Sequence, residues 1–165
     1  MTYPALALTT VLLACCTHSL AAEEPAPSAV FTTTQAEAGR AAYERSCGQC
    51  HTYSVRGRSG KEDELPPLES LPEPYQKFIG PKKLVPPLVG KNFVDRHGQK
   101  TLGELYIFFR GAARSTPAAE LKMSDEMLVD ITAYLLQKNG ARAGGQPLTA
   151  QSKVRFDSVA NPPAE

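Results

Sequence analysis

Tryptophan is absent from the 165 residues, and side chains that commonly hold metals are few: three histidines, three methionines and four cysteines. With so few ligands, a four-ligand structural zinc site is hard to assemble. Charge is missing from one end, since Met1 to Ala22 contains no Asp, Glu, Lys or Arg. No apolar run approaches the ~20 residues that span a bilayer as a helix. The formal net charge is only +1, so nothing global points to nucleic acid. No paired carboxylate site, catalytic triad or phosphate-cradling loop is present, so the chain is not read as an enzyme.

What is there begins with ALALTTVLLA, an apolar run of signal-peptide length, followed by SLA and AEEPAP. Ser19 and Ala21 are the small residues expected before a cleavage site, although the n-region has no Lys or Arg. Export to a periplasm follows, with residues 1–21 as signal peptide. Two other readings stay open. Leu12–Cys15 (LLAC) resembles a bacterial lipobox, which would leave Cys15 as an acylated N-terminus. An uncleaved anchor is the other, though Pro4, Thr9, Thr10, Thr17 and His18 make a poor spanning helix. A membrane therefore enters only through lipidation or an anchor. Cleavage near Ala21 removes Cys15 and Cys16 and leaves Cys47 and Cys50 as the only thiols.

Residues 22–33 read as a flexible leader. Thr34 and Glu37 match a capping box that opens a helix running toward Ser46. Seven of the 14 prolines lie between Pro66 and Pro87, too many for a long helix or a central strand. Thr101 and Glu104 form a second capping box ahead of a short helix carrying Leu102, Leu105, Tyr106, Phe108 and Phe109. Ser124 caps a third, in which Leu128, Ile131, Tyr134 and Leu135 form the buried stripe and Gly140 stands at C′. No alternating strand pattern is evident. The expectation is an all-α domain over residues 34–140, with 141–165 a tail over the surface or partly disordered.

CGQCH, residues 47–51, carries the chemistry. A thioredoxin-like pair follows a strand and opens a helix; this motif follows a helix. Zinc lacks ligands, and the adjacent Cys50 and His51 would struggle to share one tetrahedral ion. CxxCH is, however, the attachment signature of a c-type haem. Cysteines at i and i+3 of a helical turn face one side, so each thiol can add to a haem vinyl group. The histidine at i+4 then reaches the iron as proximal ligand. Cys47 and Cys50 are thus the thioether anchors of one covalently attached haem c, and His51 is its iron ligand.

The first helix, CGQCH, VPPLVGKNF (85–93), TLGELYIFFR and SDEMLVDITAYLLQKNG together resemble single-haem class I cytochromes c. The last two segments and QPLTA are most similar to cytochromes that accompany bacterial quinoprotein dehydrogenases. The resemblance implies the class I cytochrome c fold: three to four helices around the haem, here with a Pro-rich loop insertion, the first and last crossing where Gly39 and Tyr43 meet Ala133 and Tyr134. It implies a proline carbonyl, from Pro86 or Pro87 with Pro87 preferred, accepting the proximal histidine Nδ1–H. It also implies redox-protein partners, with a quinoprotein dehydrogenase as donor and a terminal oxidase as acceptor.

The resemblance breaks where the family places a Met-Pro sixth ligand, because here Thr116 precedes Pro117. Met123 is the best substitute, with an alternative role as an apolar staple on the last helix. His97 and Met127 are lesser candidates, Met127 being expected mostly exposed, and a vacant position is the remaining one. Six-coordinate iron suits a one-electron carrier, whereas an open position suits a five-coordinate sensor or weak peroxidase. A subunit tethered to a membrane complex is a third alternative. The Pro-rich, acidic stretch around residues 62–74 is unread: it shields the haem edge, docks a partner or is an ordered surface loop. Charge is uneven: Lys82, Lys83, Lys91, Arg96, Lys100, Arg110 and Arg114 face only Asp95 and Glu104 over residues 81–114. Such a rim would steer an acidic partner.

Overall fold

Helix caps and apolar spacing account for most of the architecture. The computed structural model describes residues 29–51, 58–59, 68–79 and 84–161. Residues 1–21, for which a signal peptide is expected, and residues 62–67 of the acidic stretch lie outside them. Six helices occur among the described residues: α1 (Thr33–Arg45), α2 (Gly48–His51), α3 (Glu73–Ile79), α4 (Lys91–His97), α5 (Leu102–Arg114) and α6 (Asp125–Lys138). The only ladder among these residues is two residues long, β1 (Arg58–Ser59) antiparallel to β2 (Leu84–Val85). The fold is therefore all-α, as expected. No helix among the described residues is long and apolar enough to cross a membrane.

Helix α1 begins earlier than the Thr34–Glu37 box suggests. Thr32 is the N-cap, accepting from the Gln35 N–H at 3.1 Å, while Gln35 Oε1 accepts from the Thr32 N–H at 3.3 Å. The competition is settled by a tertiary contact. Gln35 also exchanges two bonds with the Leu148 backbone, donating at 3.0 Å and accepting at 2.8 Å. The caps of α5 and α6 are those expected, Thr101 with Glu104 and Ser124 with the Met127 N–H. Helix α6 closes in a Schellman turn: Gly140 has φ 83°, its N–H bonds Gln137 O, and the Ala141 N–H bonds Leu136 O.

Helices α1 and α6 make the closest crossing. A Cβ on Gly39 would lie 1.8 Å from Asp130 O and 2.9 Å from Ile131 N, so only glycine admits this approach. Gly39 thus meets Asp130–Ile131 rather than Ala133–Tyr134, while the Tyr43 and Tyr134 rings do pack, at 5.3 Å between centroids. Tyr43, Ile131, Leu135 and Leu136 are fully or almost fully buried there. Met127 is half-buried against the core edge rather than mostly exposed.

The segment after Gly140 is a structural part of the core, not a loose surface tail. Leu148, Phe156 and Val159 are buried, and its backbone is bonded to several parts of the chain. Gly144 N–H bonds Phe31 O, Leu102 N–H bonds Val154 O, Phe156 N–H bonds Lys100 O, and Asn161 N–H bonds Asn139 O. At the other end, Val30 and Phe31 are buried, so the leader enters the core before residue 34.

Candidate functional site

Residues 46–51 leave α1 and re-enter a single helical turn. The Cys50 and His51 N–H groups both bond Cys47 O, at 3.0 and 2.8 Å. That turn brings Cys47, Cys50 and His51 to the wall of one cavity of about 310 Å³. This falls within the ~300–1,000 Å³ of small-molecule clefts. Most of the remaining wall is apolar, with Leu88, Phe109, Ala113, Leu128, Ile131 and Leu135 among its members. Helices α5 and α6 supply all of these except Leu88, which lies between β2 and α4.

His51 is oriented before any ligand arrives. Its Nδ1–H donates to the Pro86 carbonyl at 2.9 Å. A carbonyl can only accept, so Nδ1 carries the proton and Nε2 keeps its lone pair. Burial lowers the imidazole pKa, with the Pro86 bond opposing, which favours the neutral, ligating form. The acceptor is Pro86 and not Pro87, and Pro87 does not line the cavity. The β1–β2 ladder gives the reason: pairing Arg58 with Val85 fixes the chain immediately before residue 86.

The Cys47 thiol is pushed up in pKa, by burial first, with the Ser46 hydroxyl at 3.7 Å opposing. No disulfide joins Cys47 to Cys50. An activated redox thiol needs the reverse shift. A cluster of three or more His, Cys, Asp or Glu able to hold a metal ion does not occur among the described residues. Two thiols, one pre-aimed imidazole and apolar walls together suit an apolar prosthetic group better than a bare ion.

The candidate sixth ligands fall elsewhere. Neither Met123, Met127 nor His97 lines the cavity. Met123 is half-buried before the α6 cap and packs against the core edge. His97 lies between Phe93 and Phe108, 4.7 Å from each ring, with Nδ1 buried and unpartnered. Thr116 and Pro117 do line the cavity, from the 3₁₀ turn Pro117–Leu121.

Sequence reasoning missed Tyr75, Phe78 and Ile79, which α3 contributes to the same wall. Part of the unread proline-rich stretch therefore encloses the cavity. Pro74, in the first turn of a seven-residue helix, is compatible with it, since no intrahelical N–H bond is lost there. Phe78 remains 57% exposed and Phe108 39%, so apolar rings reach the cavity's margin. The basic group is partly neutralised: Lys91 pairs with Asp95 at 2.6 Å, and Arg110 and Arg114 share Asp125 at 2.8 and 3.6 Å. Lys82 and Lys83 lie outside the described residues. Comparison with protein-family models, curated proteins and solved structures finds no significant match for this chain.

Proposed function

We propose that this chain is an exported, single-haem c-type cytochrome that carries one electron at a time between periplasmic redox partners. The observation that carries the reading is the CGQCH turn: Cys47, Cys50 and His51 on one apolar cavity, the imidazole held by Pro86 O at 2.9 Å. The donor set fits a covalently attached haem. Cys47 and Cys50 would hold it as thioethers, and His51 would ligate its iron through Nε2. When bound, haem would supply a one-electron Fe(III)/Fe(II) couple. The chain's own residues do the rest. Pro86 fixes the imidazole and raises its basicity. Leu88, Phe109, Leu128, Ile131 and Leu135 exclude water from one side, and α3 narrows the opening with Tyr75, Phe78 and Ile79.

The α1–α6 crossing at Gly39 is compatible with the class I cytochrome c fold. A quinoprotein dehydrogenase as donor and a terminal oxidase as acceptor are the partners implied by resemblance. Docking would use the apolar margin at Phe78 and Phe108, with less basic steering than the sequence suggests because Asp125 offsets Arg110 and Arg114. Potentiometric titration of the purified protein tests the reading. One reversible one-electron wave is expected, and a protein with no redox-active chromophore would contradict it. A second reading, a five-coordinate haem sensor or weak peroxidase, is favoured by one observation: Met123 and His97 stand outside the cavity wall.

A further inference from the structure

The hydroxyl groups on the cavity wall are not equivalent. Ser46 Oγ donates to Ala42 O at 2.7 Å, so its proton is engaged. Thr116 makes no side-chain cap for the turn that it begins, and neither its hydroxyl nor that of Tyr75 has a hydrogen-bond partner among the described residues. Both residues are half-buried on a wall that is otherwise largely apolar. Donors left in such surroundings are costly unless solvent or a ligand meets them.

The chain's soft and imidazole ligands are also accounted for. Beyond the signal segment the sequence offers only Met123, Met127, His51 and His97, with Cys47 and Cys50. Of these, only His51 and the two cysteines line the cavity. The undescribed residues between 52 and 83 contain no Met, His or Cys.

We propose that this cavity binds a small, uncharged, lone-pair ligand of the carbon monoxide or nitric oxide type, hydrogen-bonded by the hydroxyls of Tyr75 and Thr116. The proposal rests on the haem reading above, in its five-coordinate form. Among the described residues no Asp, Glu, Lys or Arg lines the cavity, and an ion would lose more solvation against such a wall than a neutral diatomic loses. Tyr75 arrives on α3, so the proline-rich insertion supplies both a wall and a polar contact. Thr116 stands where the resembling family would carry Met, which turns a lost thioether into a hydroxyl.

The test uses the mature, haem-loaded protein with carbon monoxide as probe, and compares wild type with Tyr75→Phe, Thr116→Val and Met123→Ala. A high-spin resting spectrum is expected, unchanged in Met123→Ala. Carbon monoxide should bind the reduced protein, and its C–O stretch should move in at least one hydroxyl variant. A lost hydrogen bond should speed ligand dissociation about threefold to tenfold. A low-spin resting spectrum that becomes high-spin in Met123→Ala would overturn the proposal and leave the haem reading intact. So would a low-spin spectrum insensitive to Met123, which points to His97, Met127 or a lysine as ligand, or a C–O stretch identical in wild type and both hydroxyl variants. Absence of covalent haem would overturn the proposal together with the reading beneath it.

Discussion

Gly39→Ala should destabilise the protein, although alanine is the better helix former. The added methyl would lie 1.8 Å from Asp130 O and 2.4 Å from Asp130 C, both backbone atoms that cannot rotate aside. Real Cβ contacts stay above 3.0 Å, so α1 and α6 must part by at least about 1.2 Å. A radial gap of 0.5–1 Å already forfeits roughly a quarter to a half of a dispersion contact. The interface affected includes Ala36 and Tyr43 on one side and Ile131 and Leu135 on the other, all buried. Over-packing costs about 1–3 kcal/mol, occasionally more. The propensity gain of Gly→Ala returns ~1 kcal/mol. Because the clash is backbone against backbone, the cost should sit at the upper end, about 3 kcal/mol, for a net loss of about 2 kcal/mol. Gly111→Ala is the control: it sits in exposed helix with nothing within 4 Å of a new Cβ. It should gain about 0.5–1 kcal/mol. Urea unfolding of the two variants under identical loading measures the difference. Equal stabilities within about 0.5 kcal/mol would refute the close crossing.

Asn139, fully buried, donates to Leu88 O and Leu135 O and accepts from the Gly90 N–H. Asn139→Ala should cost about 2–4 kcal/mol in urea unfolding, since unpaired buried groups cost ~1–3 kcal/mol each; a loss under about 1 kcal/mol would contradict this. The Asp125 carboxyl is held below its usual range, first by the Arg110 hydrogen bond, then by the charge of Arg110, the Tyr106 hydrogen bond and the charge of Arg114, with desolvation opposing. Its stabilising contribution is therefore present above the unfolded value of ~3.9 and lost as pH falls through the lower folded value. Asp125→Asn should be less stable than wild type at pH 7 and equal to it near pH 2, and a gap that persists in acid would rule out charge as the cause. A chain ending at Gly140 loses the burial of Leu148, Phe156 and Val159. At ~1.5–3 kcal/mol each, that approaches the whole ~5–15 kcal/mol of a domain. Such a chain should show no cooperative melt by circular dichroism, and a normal melt would show the tail to be dispensable.

The long helices were legible because each carries a cap and an apolar stripe, signals that act within a few residues. Helix α1 starts two residues before the Thr34 box places it, because three consecutive threonines can each cap it. The deciding partner, Leu148, lies 113 residues beyond Gln35. The burial of Phe156 and Val159 could not be read, since isolated apolar residues among Gly and Pro show no period. Their fixing bonds run to Lys100 and neighbouring loops. At the site, CGQCH was visible as a local motif, and the choice of Pro86 over Pro87 was not. That choice depends on a ladder between residues 58–59 and 84–85. Tyr75 was hidden for the same kind of reason: α3 is only seven residues long and acts only through where it docks. The pairing of Arg110 with Asp125, which tempers the basic rim, joins two helices and leaves no trace in either.

The most direct test of the account is the intact mass of the mature protein, expressed with a c-type haem maturation system and stripped of non-covalent haem by acid acetone. One retained haem is expected, held less securely in Cys47→Ala or Cys50→Ala and lost when both are replaced. A chain recovered without haem, its two thiols still open to alkylation or joined as a disulfide, would contradict it.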